Sequence, residues 1–273
     1  MTNYGRINVL WFDGAWQEVS SRWGFQPTNS QLAQVWRSRS LINMVWRLQP
    51  NILINNRAGP AENFGTPEQS IDWIEQTARG PAQRPWELCD TLGDLWGAVP
   101  PDRNHKTPRE IITRLITCVS RDGNMLLNIG PKADGTVQTW QLRTLQRISR
   151  WAHTHSEAIY GCCGEWRRPF TTGLAPWHAT RKGNRLFLHL LRYPGKRPFH
   201  IANMHNYRIE SARLFDIGRK MTIKRLPTAD QIEGLSARSP DPIAPIVELR
   251  VSNLPRSRYG LRCIGEPNPD TLA

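Results

Sequence analysis

The sequence predicts an α/β segment followed by an all-β one, and two observations carry that reading. Up to about residue 160, short apolar runs of strand length alternate with stretches whose apolar residues recur at spacings of three and four, as parallel α/β architecture requires. Beyond Tyr160 no helical periodicity is present. Apolar runs of strand length are separated there by Gly, Pro and Asp, which suits an antiparallel β-sandwich.

Ile7–Phe12 comes first, an apolar and aromatic run without helical spacing and short enough for a strand buried on both faces. Asp13-Gly14 follows, where glycine lets the chain turn. After a loop carrying Trp16, Trp23 and Pro27, the residues Leu32, Val35, Trp36, Ile42, Val45 and Leu48 predict one helix, from Asn29 or Ser30 until Pro50 ends it. Asn51–Asn56, centred on Ile52-Leu53-Ile54, is a second buried strand. Ala58–Pro85 reads as a long structureless loop, and such loops in compact domains are usually functional. Trp86–Thr91 is a third strand. Thr107-Pro108-Arg109-Glu110 is a capping box with proline at the first helical position, opening a helix to about Ser120. Asn124–Ile129 is a fourth strand stopped by Gly130-Pro131, and Thr139–Ser156 is a helix.

A closed barrel of alternating strands and helices needs eight strands over ~250 residues. The expectation is therefore a partial (β/α)8-like (TIM-type) barrel over residues 1–160 and a β-sandwich domain over 161–273. In the second part, Leu186–Leu191 and Phe199–Ile201 read as two strands joined through Pro194-Gly195. Ala212–Ile217, Met221–Leu226 and Ile246–Val251 read as further strands.

Hydrophobic residues at 39% and charged residues at 22% suit a globular protein, and no apolar run approaches the ~20 residues of a membrane-spanning helix. The opening Met-Thr-Asn-Tyr-Gly-Arg has no apolar core of the signal-peptide kind. The net charge of +13 invites a nucleic-acid reading. The basic residues are dispersed, however, and no recognition helix, zinc-finger spacing or RNA motif accompanies them, so neither nucleic acid nor membrane is expected as a partner. Five cysteines without Cys-x-x-Cys or Cys/His spacing argue against a disulfide framework and a structural metal. Twelve tryptophans are more informative, because an indole face can stack on the apolar face of a sugar ring.

A carboxylate at the C-terminal end of a buried parallel strand stands where such folds place their chemistry, and that is the position of Asp13. As part of an Asp-Gly pair it equally fits a turn or a cap. The context Leu10-Trp11-Phe12-Asp13-Gly14 resembles the nucleophile strand of the α-L-fucosidases of glycoside hydrolase family 29. Further blocks follow in that family's order: Gln49–Arg57 (Gln-Pro-Asn-Ile-Leu-Ile-Asn-Asn-Arg), Phe64–Gln69 (Phe-Gly-Thr-Pro-Glu-Gln), Trp86–Cys89 (Trp-Glu-Leu-Cys), Asn124–Pro131 (Asn-Met-Leu-Leu-Asn-Ile-Gly-Pro), Gly135, and Glu157–Gly161. The resemblance runs from about Tyr4 to Val251. It implies retaining hydrolysis of terminal α-L-fucosyl groups from glycans or glycoconjugates, without cofactor or metal, by a barrel followed by a β-sandwich.

In that resemblance Asp13 takes the place of the nucleophile. Aligned on Asn55-Asn56-Arg57, Glu68 falls where some bacterial members have their general acid/base, with Glu62 as the runner-up. Glu75 lies in the same loop, and Glu87 opens the next strand. Without the resemblance, Glu68 reads as a first-turn carboxylate of a helix capped by Thr66. Arg57 matches an arginine that contacts the sugar, and equally reads as half of an ion pair. Trp11 and Trp96 match aromatic residues that line the fucose pocket, and each also suits a core. None of the seven histidines resembles those that bind fucose hydroxyls from the first barrel strands. That absence leaves the activity of this chain by itself open, and keeps a second reading in view: a catalytically inactive fragment or carbohydrate-binding remnant. The oligomeric state is not given by the sequence. Members of the family are commonly secreted, periplasmic or lysosomal.

Overall fold

The computed structural model describes residues 2–13, 28–60, 62–70, 85–98, 104–164, 177–202 and 208–252. The expected turn at Gly14, Trp16, Trp23, Glu75, His205 and Cys263 lie outside them. The chain divides into two compact units, Met1–Cys89 and Asp90–Ala273.

The first unit is built on parallel strands. β1 (Val9–Leu10) pairs with β2 (Leu53–Ile54) in the register Val9↔Leu53 and Leu10↔Ile54. Both strands are shorter than expected. Nor are they buried on both faces: the register partners Val9 and Leu53 share one face and are 46% and 48% exposed, with no described element over them. On the other face Ile54 and Ile52 pack with Ile42, Val45 and Ala58.

Ile42 and Val45 come from a helix, but the expected single helix is two. α1 (Asn29–Val35) starts at a capping box in which the Thr28 hydroxyl and the Gln31 side chain satisfy each other's backbone amides. α2 (Ser38–Leu48) begins after Arg37, whose φ of 49° lies in the left-handed region. The cause of the break is visible at Ser38, fully buried with its hydroxyl donating to the Ala58 carbonyl. Apolar spacing alone does not register that bond.

The supposed loop after β2 is also more ordered than expected. A parallel bridge joins Asn55 to Phe64, and two more join Gly65 to Trp86 and Glu68 to Cys89. Residues 64–68 thus run as an extended segment beside β3 (Trp86–Thr91), the strand that straddles the division between the units.

In the second unit, α3 (Pro108–Val119) carries the expected capping box of Thr107 and Glu110. β4 (Gly123–Asn128), α4 (Thr139–Thr154) and the short α5 (Ser156–Ile159) follow. Ile112, Ile116, Trp151, Ala152, Ile159 and Ala244 form one core. Asp90 is fully buried and satisfied by two cations, Lys106 at 3.1 Å and Arg114 at 2.9 Å.

The remaining strands are β5 (Cys163–Gly164), β6 (Trp177–Lys182), β7 (Arg185–Leu190), β8 (Phe199–Ala202), β9 (Arg208–Leu214), β10 (Arg219–Arg225), β11 (Ala229–Glu233) and β12 (Ile246–Ser252). They form one antiparallel sheet in the order β5-β6-β7-β12-β9-β10-β11-β8. Ala179 and Leu188, near one end of that order, share a core with Phe199 and Ile201 at the other, so the sheet curls until its two halves face each other. β7 and β8, read from sequence as neighbours through a turn, lie far apart in this order. β6 and β11 went unrecognised because charged residues interrupt their apolar positions. Cys163 is disulfide-bonded, an exception to the expected lack of a disulfide framework, while Cys89, Cys118 and Cys162 are free.

Candidate active site

Three side chains extend the β1–β2 pairing beyond its main-chain bonds. The main-chain pairing of β1 and β2 stops at Leu10↔Ile54. Beyond it the fully buried Asn55 accepts from the Phe12 N–H at 2.8 Å and returns a bond to the Phe12 carbonyl at 2.9 Å. Closer to the start, Gln49 accepts from the Ile7 N–H and donates to the Gly5 carbonyl. Asn63 accepts from Ile54 N–H, tying the following segment to β2. Asp13 therefore leaves the strand from an anchored peptide, with its carboxylate 60% exposed.

Residues 64–69 place the second carboxylate. Gly65, Pro67 and Gln69 bond to β3 through the main chain: Gly65 N–H to the Pro85 carbonyl, Glu87 N–H to Gly65, Cys89 N–H to Pro67, and Gln69 N–H to Cys89, each at 2.9 Å. Proline suits its place because only its carbonyl is used. Thr66 faces the opposite way, its N–H and hydroxyl both bonded to Asn56 Oδ1. Glu68 thus sits in a β-bridge rather than in a helical first turn. Gln69 follows with φ of 52°, a strained value for a residue with a side chain, and turns the chain immediately past Glu68.

Arg57 joins the two. It is nearly buried, with Nε on the Thr66 hydroxyl at 3.0 Å and Nη2 on the Thr66 carbonyl at 3.2 Å. Its Nη1 contacts Asp13 Oδ1 at 3.2 Å and Glu68 Oε2 at 2.6 Å. Two oxygens on one nitrogen at those distances are at most about 6 Å apart. That upper bound includes the ~5–5.5 Å of retaining glycosidases. The guanidinium stacks 4.4 Å over the Trp11 ring, and the Trp11 indole N–H donates to Glu87 at 3.3 Å. Burial raises the Glu87 carboxyl above its ordinary value, partly offset by that bond. Cys89, beside Glu68 in the ladder, is pushed up to about 11, chiefly by burial; Arg57 pulls the other way and Glu68, Glu87 and Asp13 add to the rise.

The structure brings Asp13, Arg57, Glu68 and Trp11 together. Glu62, the runner-up, is half-buried on the segment between β2 and Phe64. Trp96 belongs to the second unit, 38% exposed, with its carbonyl held by Asn128 Nδ2 at 2.9 Å. Asn55 and Thr66 act through bonds that the sequence reading does not anticipate, whereas Glu87 is among the carboxylates it offers. The polar pair Asn55-Asn56 at the end of an apolar strand was the available signal for the first.

The family model of Alpha-L-fucosidase matches residues 1–157. The chain belongs to the α-L-fucosidase family. An α-L-fucosidase of Dictyostelium discoideum is 26% identical over 181 residues, 64% of this chain and 36% of that protein. The tissue α-L-fucosidase of Homo sapiens is 24% identical over 205 residues, 71% of this chain and 40% of the relative. The chain thus spans well under half the length of these curated α-L-fucosidases. Among solved structures, α-L-fucosidase isoenzyme 1 from Paenibacillus thiaminolyticus aligns over 92% of this chain and 59% of its own, at 30% identity and a TM-score of 0.69. The Thermotoga maritima α-fucosidase with a mechanism-based inhibitor shares the fold at a TM-score of 0.67 and 24% identity, over 89% of this chain and 52% of its own.

One other cluster of ligand-type side chains occurs among the described residues: His155, Asp216 and Asp241, with ligand atoms within 4.8 Å of one another. Protein groups already engage them. His155 contacts Asp216 at 2.7 Å and the Trp151 carbonyl at 2.8 Å, and Asp241 accepts from the Ile243 and Ala244 amides.

Proposed function

We propose that this chain carries the catalytic carboxylates of a retaining α-L-fucosidase acting on terminal α-L-fucosyl groups of glycans or glycoconjugates. The observation that supports it most is the meeting of Asp13 and Glu68 on one Arg57 nitrogen, at a separation that admits double displacement. Asp13 attacks the anomeric carbon, and the bond from that carbon to the leaving oxygen breaks as Glu68 delivers its proton to the oxygen. Glu68, now a carboxylate, takes a proton from water, whose oxygen displaces Asp13 from the anomeric carbon. Two inversions leave the sugar with its starting configuration.

Arg57 steadies both carboxylates through this exchange and offers its donors to sugar oxygens. Trp11 and Trp96 are read as aromatic walls of the fucose pocket. The alternation of strands and helices to about residue 160 is read as part of a (β/α)8 barrel, with residues 161–273 as its β-sandwich domain. The test is hydrolysis of an aryl α-L-fucoside by the purified protein, with the first-formed fucose followed by NMR. The α-anomer is expected. A β-anomer formed first would make the mechanism inverting, and turnover undiminished in Asp13→Ala would remove the site.

A further inference from the structure

β9 and β10 pair only over Arg219↔Leu214, Lys220↔Arg213 and Met221↔Ala212. Past that point β10 runs on with β11 through Thr222–Arg225, and β9 runs on with β12 through Arg208–Ser211. The sheet forks, and a cavity of about 340 Å³ opens in the fork. We propose that this fork binds a single sugar unit carrying one carboxylate or sulfate.

The lining supplies what such a ligand needs. Ala212, Met221 and Ile223 contribute the apolar part of the lining, Ala212 and Met221 being otherwise buried in the core of the sheet. Lys220 and Arg250 stand exposed at the rim, and neither has an ion-pair partner among the described residues. Glu210, also exposed and without an ion pair, accepts from hydroxyls. The other two charges of the lining cancel each other: Glu248 is buried and held by Arg213 and by Arg185. Two cations and one carboxylate are left to address a ligand, a balance that selects an anion bearing hydroxyl groups. No aromatic ring among the described residues lines the cavity, which argues against a stacked base, and its size limits the occupant to about one ring, at the small end of ligand sites.

The proposal is independent of the catalytic reading. It is tested by titrating the purified protein with D-glucuronate, galactose 6-sulfate, inorganic sulfate and D-galactose in moderate salt. The two anionic sugars are expected to bind at least tenfold more tightly than either control. The double variant Lys220→Glu/Arg250→Glu should lose that binding. Arg143→Glu/Arg147→Glu, the same charge change on the exposed face of α4, should keep it. Equal binding of inorganic sulfate would overturn the sugar, and equal binding of D-galactose would overturn the anion. Equal loss in both double variants would reduce the effect to diffuse charge, and no binding by either anionic sugar would dismiss the site.

Discussion

The Asn55 carboxamide bonds to both polar groups of Phe12, N–H and carbonyl, and so adds one side-chain rung to the β1–β2 ladder where its main-chain rungs end. Asn55→Ala leaves both groups of Phe12 without partners, at a cost of ~1–3 kcal/mol in stability. Denaturant unfolding measures this. On the catalytic reading, kcat should fall in the same variant by more than KM rises, because Asp13 loses its bearing while the rest of the pocket stays.

Replacement of Asp13 by Ala should reduce turnover of an aryl α-L-fucoside by ~10⁴-fold or more, since no other group there can form the glycosyl ester. Glu68→Ala should spare substrates with acidic phenol leaving groups, and azide should restore its rate, giving the α-azide of retained configuration. Glu87→Gln serves as the comparison, because burial favours the protonated form of Glu87. If azide rescue appears only when Glu87 is removed, Glu87 and not Glu68 is the proton donor.

Arg57→Lys keeps the charge but not the fork. An ammonium cannot hold Thr66 through two nitrogens and still bridge two carboxylates with a third. A fall of at least tenfold in kcat/KM, or ~1.4 kcal/mol, is expected. Unchanged kinetics would leave Arg57 as a structural ion pair.

Gly130 belongs to one of the sequence blocks, and its necessity is steric. A Cβ there would come 2.5 Å from the backbone of Gly97, while the Gln141 side chain bonds both the N–H and the carbonyl of Gly130. Gly130→Ala should cost ~1–3 kcal/mol. Gly97→Ala, whose Cβ would meet nothing within 4 Å, should stay within about 0.5 kcal/mol. Thermal melts of the two variants check this.

Two buried imidazoles should bend stability with pH in opposite senses. Burial works against charge on His155, but its bonds to Asp216 and Trp151 outweigh that and raise it. Its stabilisation is complete below the unfolded value of ~6.5 and is lost as pH rises through the raised native value. His189 is depressed to about 3, first by burial. The Thr180 hydroxyl donates to the Ala158 carbonyl, so His189 Nε2 must donate to Thr180, leaving Nδ1 as an unpartnered lone pair. Stability should therefore decline as pH falls from ~6.5 towards 3, where only the unfolded chain takes the proton. In melts across pH, the deficit of His155→Asn relative to the parent should shrink as pH rises. The acid-side decline should flatten in His189→Gln.

The alternation of strands and helices, the capping box at Thr107 and the meeting of Asp13, Arg57 and Glu68 were legible in the sequence, the last through its resemblance to a family. What escaped it depended on bonds between distant residues. The break before Ser38 follows from one hydroxyl reaching Ala58 across the unit, and the ordered path of residues 64–68 from main-chain bonds to β3 that any side chains permit. Strand order in the antiparallel sheet is likewise set by pairings that apolar runs do not encode. β12, near the end of the described chain, inserts between β7 and β9.

The ladder that carries Glu68 is made of main-chain groups, so the carboxylate has a backbone address. A change in β3 that slipped its register against residues 64–69 would carry Glu68 away from Asp13 while leaving every side chain of the site intact. The Gln69 and Cys89 amides, each donating one of those bonds, are natural reporters: their protection against hydrogen exchange would follow the placement of Glu68 without any substrate being present.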